Sequence, residues 1–585
     1  MTEVSVSLQN DGEGIDEKSE PLHMDQSDDP SSDPEGWSIL GYVRVYSGTL
    51  VVLTILCGFL SCLNLSLPYI LKVIIDDILP GQHLNLLAYA LAAVLGIIVL
   101  KNLTYYVTKL RITRLGEEIA LDIRERLFHH LHQLSIGFFK DRDPGELSSR
   151  LMQDVNQVKT FVQDQMMKFQ MNVLMILVSF SIMFWLHTRL AIIALVVLPL
   201  HWLVHRMYQR SIKKHAREAQ NTIGSVTGDV VEQFSGVQEV KSSSAEEDEE
   251  RRFKSTIREG MTAKMEETKQ YLRQKIFADG LVGFGQLLVI AFATYEIING
   301  SMKVGTFIAF YGYTGMLYPK TLKLISQAGK FSSTAASLDR IAEIMNREPE
   351  IRVKPSALPR EIREGKVEFR NVSFSYDHEQ IFENLNFTAY PGDNVLVTGV
   401  SGSGKSTLLN LIPRFYELDG GQILIDDVDV REYTLTSLRE QIGIVFQDCF
   451  LFGSSIRENI QYAKPDATNE EILEACEKAE AHEFISHLPN GYRTVIGEGG
   501  VHLSGGEKQR LVIARTILKD PAILILDEAL TTLDKESRTS VARNLRDLME
   551  DRTMFTVTHD PSVFSQIHRE IHLDKKTNKE TAVSV

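Results

Sequence analysis

The nine residues Gly399, Val400, Ser401, Gly402, Ser403, Gly404, Lys405, Ser406 and Thr407 place glycine at the first and sixth positions and follow the second with Lys and Ser. That spacing lets successive backbone N–H groups close around phosphate oxygens at the start of a helix. In such a loop Lys405 reaches the β and γ phosphates of a nucleotide, and the Ser406 hydroxyl is a ligand for Mg²⁺. A second set of candidates lies in "LILDEALTTLD", Leu524 to Asp534, where an apolar run ends on Asp527 and Glu528. Alone, an adjacent pair of carboxylates is the ordinary way for a strand to reach solvent. Beside a phosphate loop the pair reads differently. Asp527 ends a neighbouring strand and holds Mg²⁺ through water, and Glu528 is placed to orient or deprotonate an attacking water.

These residues need a sheet and helices to position them. "VLVTG" before the loop reads as a strand and "STLLNLI" within and after it as a helix, which is the setting a P-loop requires. From about residue 366 to the end, strands, turns and helices alternate, predicting an α/β nucleotide-binding domain over 366–585. A polar, proline-containing stretch, "EPEIRVKPSALPREIREGK", leads into it, and 346–365 is assigned as a linker.

Upstream the composition is that of a bilayer protein. Gly48 to Leu71 holds no charged side chain, and at about 1.5 Å per residue it crosses a hydrocarbon core of about 30 Å. Leu84 to Leu100 predicts a second span. The run from Phe169 to Val204, broken at His187, Thr188 and Arg189, predicts a third and fourth. Gly280 to Tyr295 and Val304 to Tyr318 supply a fifth and sixth. Residues 108–160 contain nine Lys or Arg, whereas the short link "DDILPGQH" contains none, so the long loops face the cytoplasm. Ile119, Ile123, Leu127, Leu131 and Leu134 recur on one helical face, so the membrane helices continue into the cytoplasm. Lys101, Asp279 and Glu296, near membrane ends, are expected to snorkel at the interface.

At 585 residues the chain is too long for one core. Its formal charge of −15 is concentrated at the start, where residues 1–36 hold eleven Asp and Glu against Lys18 alone. That segment lacks the apolar residues needed to offset ordering entropy, and it is expected to be a disordered acidic tail, not a signal or transit peptide. Cys57, Cys62, Cys449 and Cys476 show no metal-ligand spacing and are expected to be ordinary thiols.

"LSGGEKQRLVIAR", Leu503 to Arg515, stands a helix's length before the Asp527 strand. With the P-loop and the acidic pair, it makes the chain resemble the ABC transporter superfamily, as an exporter-type half-transporter. The resemblance runs from Trp37 to about Leu573 and implies a multidomain fold. An all-α, six-helix transmembrane domain over 37–345 would precede one α/β P-loop domain of ABC type. Position by position, it implies that Tyr376 stacks on adenine, Gln447 senses Mg²⁺ and abuts the membrane domain, Glu498 relays conformation, Asp534 is the loop acid, and His559 is the switch histidine near the γ-phosphate. Ser504, Gly505, Gly506 and Glu507 would contact ATP bound to a second chain. Two departures stand out: Leu530, Thr531 and Thr532 replace the family's small residues before Asp534, and Glu507 replaces the commoner glutamine.

The resemblance implies ATP hydrolysis that drives export of an amphipathic or hydrophobic molecule, a lipid or drug-like compound, by a multi-pass protein of the plasma (inner) membrane with its cassette in the cytoplasm. Export of a hydrophobic peptide and an ATP-gated regulator or channel stay open as alternatives. The cofactors implied are ATP and Mg²⁺. The partners implied are the lipid bilayer, a second copy of the chain (a heterodimer staying open) and the transported molecule, with no nucleic acid. "RLMQDVNQV" and "FSGVQEVKSSSAEEDE" match the family's coupling regions.

Overall fold

The computed structural model describes residues 46–376, 379–497, 500–558, 560–564, 567–574 and 579–581; the acidic tail lies outside them. The chain divides into two compact units, one comprising Met1–His129 and Gly145–Asn346, the other His130–Pro144 and Arg347–Val585.

The first unit is built on long helices: α1 Ser47–Val73, α2 Leu84–Gln133, α3 Met167–Leu186, α4 Thr188–Ser235, α5 Glu246–Ile298 and α6 Val304–Met345. Among the described residues five helical segments, Ser47–Ile78, Leu84–Gln133, Pro144–Leu186, Thr188–Ser235 and Glu246–Ile298, are long and apolar enough to cross a membrane. The sixth expected span begins α6, which gives Phe310, Tyr313 and Leu317 to the same buried cluster as Met183, Leu190 and Val289. At about 1.5 Å per residue, α2, α4 and α5, with 50, 48 and 53 residues, far exceed a hydrocarbon core. They extend past the bilayer, as the periodicity predicts.

Local chemistry sets where these helices stop. His187 is extended (φ −162°, ψ 99°), and its Nδ1 accepts from the Leu190 N–H at 3.4 Å, which ends α3 and starts α4. After α1 the chain makes a π-helical turn, Ile74–Ile78, in which Asp76 accepts from the Gly305 N–H at 2.6 Å and the Thr306 hydroxyl at 3.0 Å, satisfying the first turn of α6. Glu296 departs from the snorkelling expectation. It is buried at 5 % exposure and pairs with Arg189 at 3.3 Å, because the partner reaches it from the neighbouring helix start. Asp154 is also buried, accepting from Ser337 Oγ and Arg340 Nε, each at 2.9 Å, and from Arg150 Nη1 at 3.3 Å.

The second unit holds two sheets. β1 (Val367–Tyr376), β2 (Glu379–Ala389), β4 (Gly420–Ile425) and β5 (Val428–Asp429) form an antiparallel sheet in the order β2-β1-β4-β5. The other sheet runs β10-β9-β3-β8-β7-β6, from Lys579–Thr581, Arg569–Leu573, Asn394–Gly399, Thr553–Val557, Ile523–Asp527 and Ile442–Val445. Its central strands are buried on both faces, so they read as unbroken apolar runs such as "ILIL". The helices that matter to the site are α7 Lys405–Leu411, α8 Gly505–Leu518 and α9 Lys535–Leu548.

The short helix Ile136–Lys140 also belongs to this unit. Phe138, 2 % exposed, lies between the guanidinium groups of Arg142 and Arg347, each 5.0 Å from its ring, and Ser135 Oγ donates to Glu350 at 2.6 Å.

Candidate nucleotide site

β3 runs into the P-loop at Gly399, and the loop closes at Gly404, the residue before α7. Gly404 is left-handed (φ 94°), and a Cβ there would lie 2.6 Å from Ile381 Cγ2 and 3.0 Å from Phe382 Cζ. Only glycine supplies both the conformation and the clearance. The Lys405 ammonium donates to the carbonyls of Gly399 (3.0 Å) and Val400 (3.1 Å), and the Ser403 N–H to Val400 O (3.1 Å). Ser403 and Thr407 are buried, whereas Val400 is exposed.

Sheet order brings the other candidates to the same edge. β3, β8, β7 and β6 are consecutive parallel neighbours, so the loops leaving their C-terminal ends open on one side, where α/β sheets bind ligands. Those loops carry the P-loop after β3, Glu528 after β7 and Gln447 after β6. His559 follows β8 but, like Glu498, lies outside the described residues.

Asp527 ends β7 beside the Ser406 side chain. Burial pushes its carboxyl above the usual carboxylate range; the Ser406 hydroxyl nearby opposes this, the charge of Glu528 adds to it, and Lys405 opposes it. Glu528 leaves the strand with φ 51°, its N–H bonded to Val557 O at 3.0 Å, and its Oε2 accepts from Gln447 Nε2 at 2.9 Å. A left-handed glutamate is a strained choice. Here it turns the side chain out of the strand line and towards the loop after β6.

The oxygen donors fit a hard divalent cation. Ser406 hydroxyl, Asp527 carboxylate and the Gln447 amide are the ligand types Mg²⁺ takes alongside phosphate oxygens and water. Among the described residues no group of three His, Cys, Asp or Glu is placed to hold a metal.

Tyr376 ends β1 beside a cavity of about 540 Å³ lined by Phe374, Tyr416, Lys140, Gly137 and Glu417 among others. It packs edge-on against Tyr416 (centroids 5.2 Å, 86°) and lies beside Thr407, inside the P-loop helix. Lys140 lies 5.9 Å from the Tyr416 ring. Sequence reasoning missed Tyr416 and the short helix beside it. Their only signals were an aromatic after the P-loop helix and an apolar pair, Phe138 and Phe139, in a basic loop.

The "LSGG" segment forms the N-terminus of α8. Ser504 caps the helix, and the neighbours of Gly505 and Gly506 are Thr532 and Leu533. Thr532, one of the departures noted above, donates its hydroxyl to the buried Gln509 Oε1 at 2.7 Å and its N–H at 3.3 Å. Leu530 is buried in the helical core and the Thr531 hydroxyl bonds Glu528 O at 3.0 Å. Asp534 caps α9 by accepting from Glu536 N (3.1 Å) and Ser537 N (3.0 Å), and those bonds, Ser537 foremost, hold its carboxyl below the usual range.

Comparison with known proteins agrees with this assembly. Residues 50–318 match the family described as ABC transporter transmembrane region, and 382–531 match the family described as ABC transporter. The chain is 36 % identical over 545 residues to a Bacillus subtilis (strain 168) relative named for multidrug export, the ATP-binding/permease protein YgaD, covering 92 % of this chain and 94 % of that one. It is 34 % identical over 537 residues to an ATP-dependent lipid A-core flippase of Syntrophus aciditrophicus (strain SB), covering 92 % and 89 %. A solved structure of a bacterial Atm1-family ABC exporter with ATP bound matches with a TM-score of 0.78 and 28 % identity, over 92 % of this chain and 96 % of that one. With a helical membrane region and one ATP-binding cassette in a single polypeptide, the chain belongs to the ABC transporters as an exporter-type half-transporter, an ATP hydrolase coupled to transport.

Proposed function

We propose that two copies of this chain export an amphipathic or hydrophobic molecule, a lipid or drug-like compound, across the plasma (inner) membrane, with the cassettes in the cytoplasm. The observation that carries the cargo class is a cavity of about 380 Å³ in the helical unit. Tyr271, Ile212 and Ala278 give it an apolar wall, and His205, Asp279, Lys213, Lys275 and Lys323 give it polar and ionisable groups. A molecule with an apolar body and a polar group suits both. The relatives' names, one for multidrug export and one for a lipid A-core flippase, point the same way.

Pairing of two like chains is supported by the far end of α4. Ile223, Val231 and Phe234, with Val237 just beyond, are exposed large apolar residues, more than 30 residues past the start of that helix and so outside any bilayer. Exposed apolar stretches of this kind mark interaction surfaces.

In the site, Lys405 and the P-loop amides from Gly399 to Thr407 bind the phosphates, Tyr376 receives the adenine, and Glu528, held by Gln447, orients the water. By the family resemblance His559, outside the described residues, is assigned to the γ-phosphate. Ser406 and Asp527, with Gln447, would hold Mg²⁺, which when bound neutralises charge on the β and γ phosphate oxygens. Ser504, Gly505, Gly506 and Glu507 face the γ-phosphate of the opposite copy, with Asp534 in the adjoining loop. Shifting such a pair from 1:99 to 99:1 closed takes about 5.5 kcal/mol, so each ATP must contribute about half. Residues 346–365 serve as the linker that carries this movement.

The test is ATPase activity of the full chain in lipid vesicles across a panel of lipids, drugs and hydrophobic peptides, beside Lys405→Ala and Glu528→Gln. Stimulation confined to peptides would overturn the cargo class. Normal nucleotide binding by Lys405→Ala would overturn the site.

A further inference from the structure

Glu507, one of the two departures from the family pattern, is hydrogen-bonded to the residue that should meet the γ-phosphate. Its Oε2 accepts from the Ser504 N–H and from the Ser504 hydroxyl, each at 2.7 Å, while the Glu507 N–H donates back to Ser504 Oγ at 3.3 Å. The hydroxyl proton that a phosphate oxygen would accept is therefore already held by a carboxylate. A full negative charge also sits in the first turn of α8, where the helix dipole would otherwise favour an incoming anion.

We infer that Glu507 is a built-in competitor for the γ-phosphate, an affinity-setting residue that must release Ser504 before the cassette of the other copy can be closed over its ATP. This rests on the proposed pairing of two cassettes with Ser504 facing the opposite nucleotide. A glutamine at the same place can make the same two bonds, but as a neutral acceptor. It would give up the hydroxyl more readily and add no repulsion. Among the described residues the same capping arrangement occurs at Ser455 with Glu458 and at Thr468 with Glu471. Those helix starts carry no glycine-rich phosphate motif, so they report what the arrangement does when it serves only to start a helix.

The experiment measures ATPase rate against ATP concentration for the full chain in lipid vesicles, comparing Glu507→Gln, Glu458→Gln and Ser504→Ala. For Glu507→Gln the KM for ATP is expected to fall about threefold to tenfold, the effect of removing one charge at a helix N-terminus, so that kcat/KM rises. Glu458→Gln, which weakens a helix start of the same kind, should leave KM within about twofold of the parent. An unchanged or raised KM in Glu507→Gln, or an equal fall in Glu458→Gln, overturns the competitor role and leaves the pairing of cassettes standing. Ser504→Ala should raise KM. If it does not, Ser504 does not meet the γ-phosphate, and the pairing and the role of Glu507 fall together.

Discussion

Gln447 Nε2 donates to Glu528 Oε2 at 2.9 Å, joining the loop after β6 to the first residue beyond β7. The two lie 81 positions apart, yet β6 and β7 are adjacent parallel strands paired from Ile442 with Ile523 to Val445 with Leu526. The strand pairing delivers both side chains to the same edge. Gln447 thereby gives a hydrogen bond to the carboxylate proposed to orient the attacking water.

This relationship predicts a graded series. Glu528→Gln removes the base and should lower phosphate release by about 10²- to 10⁴-fold, with ATP still retained on the protein. Gln447→Ala leaves the carboxylate in place but frees its direction, so the loss should be smaller, about tenfold. Phosphate release and nucleotide retention, measured on the same samples, separate the two. Equal losses would mean that Gln447 does more than orient Glu528.

Asp527 predicts a pH dependence with a definite sign. Burial raises its carboxyl pKa, partly offset by the nearby Ser406 hydroxyl. A carboxyl whose folded value lies above its unfolded value costs stability once it is charged. The cost is absent below the unfolded value, builds as pH rises to the folded value, and is complete at neutral pH. Asp527→Asn should therefore melt at a higher temperature than the parent at neutral pH without nucleotide, with the difference shrinking in acid. Mg²⁺ affinity should fall with decreasing pH sooner than for an exposed aspartate, because the proton and the metal compete for the same oxygens. Thermal melts and Mg²⁺-dependent ATPase at several pH values check both.

The buried carboxylate of Asp154 joins the π-helical turn Arg150–Asp154 to α6 through Ser337 and Arg340. Asp154→Lys would set a third cation beside Arg150 and Arg340. The lost pairing should cost about 3 kcal/mol, with transport lost while nucleotide binding stays at the parent level. Vesicle uptake beside nucleotide binding reads this, and a fall in ATP affinity would refute it.

Phe138 fastens the short helix Ile136–Lys140 between Arg142 and Arg347. Phe138→Ala should cost about 3 kcal/mol locally. A lower melting temperature than the parent is the measurement.

Thr532→Val keeps the shape and removes the hydroxyl bond to Gln509. The expected loss is about 1 kcal/mol, visible as a lower melting temperature of the cassette, with Thr532→Ser restoring it.

Much of this was legible in the residues alone. A phosphate loop is a local motif: Gly399, Gly404, Lys405 and Ser406 fold around an anion because of their own backbone freedom and the helix they begin. Membrane spans are equally local, since about 20 apolar residues meet a bilayer's thickness whatever surrounds them. Both could be read from spacing. Tyr416 beneath Lys140 and edge-on to Tyr376, the burial of Glu296 against Arg189, and the hold of Asp154 on Arg340 could not. Each joins segments far apart in the chain, and only the packing of helices and the order β3-β8-β7-β6 decides which of many polar side chains meet. Glu507 lies between these cases. The sequence marks it as a departure, but whether its carboxylate faces solvent or accepts from the Ser504 hydroxyl depends on the geometry of one helical turn.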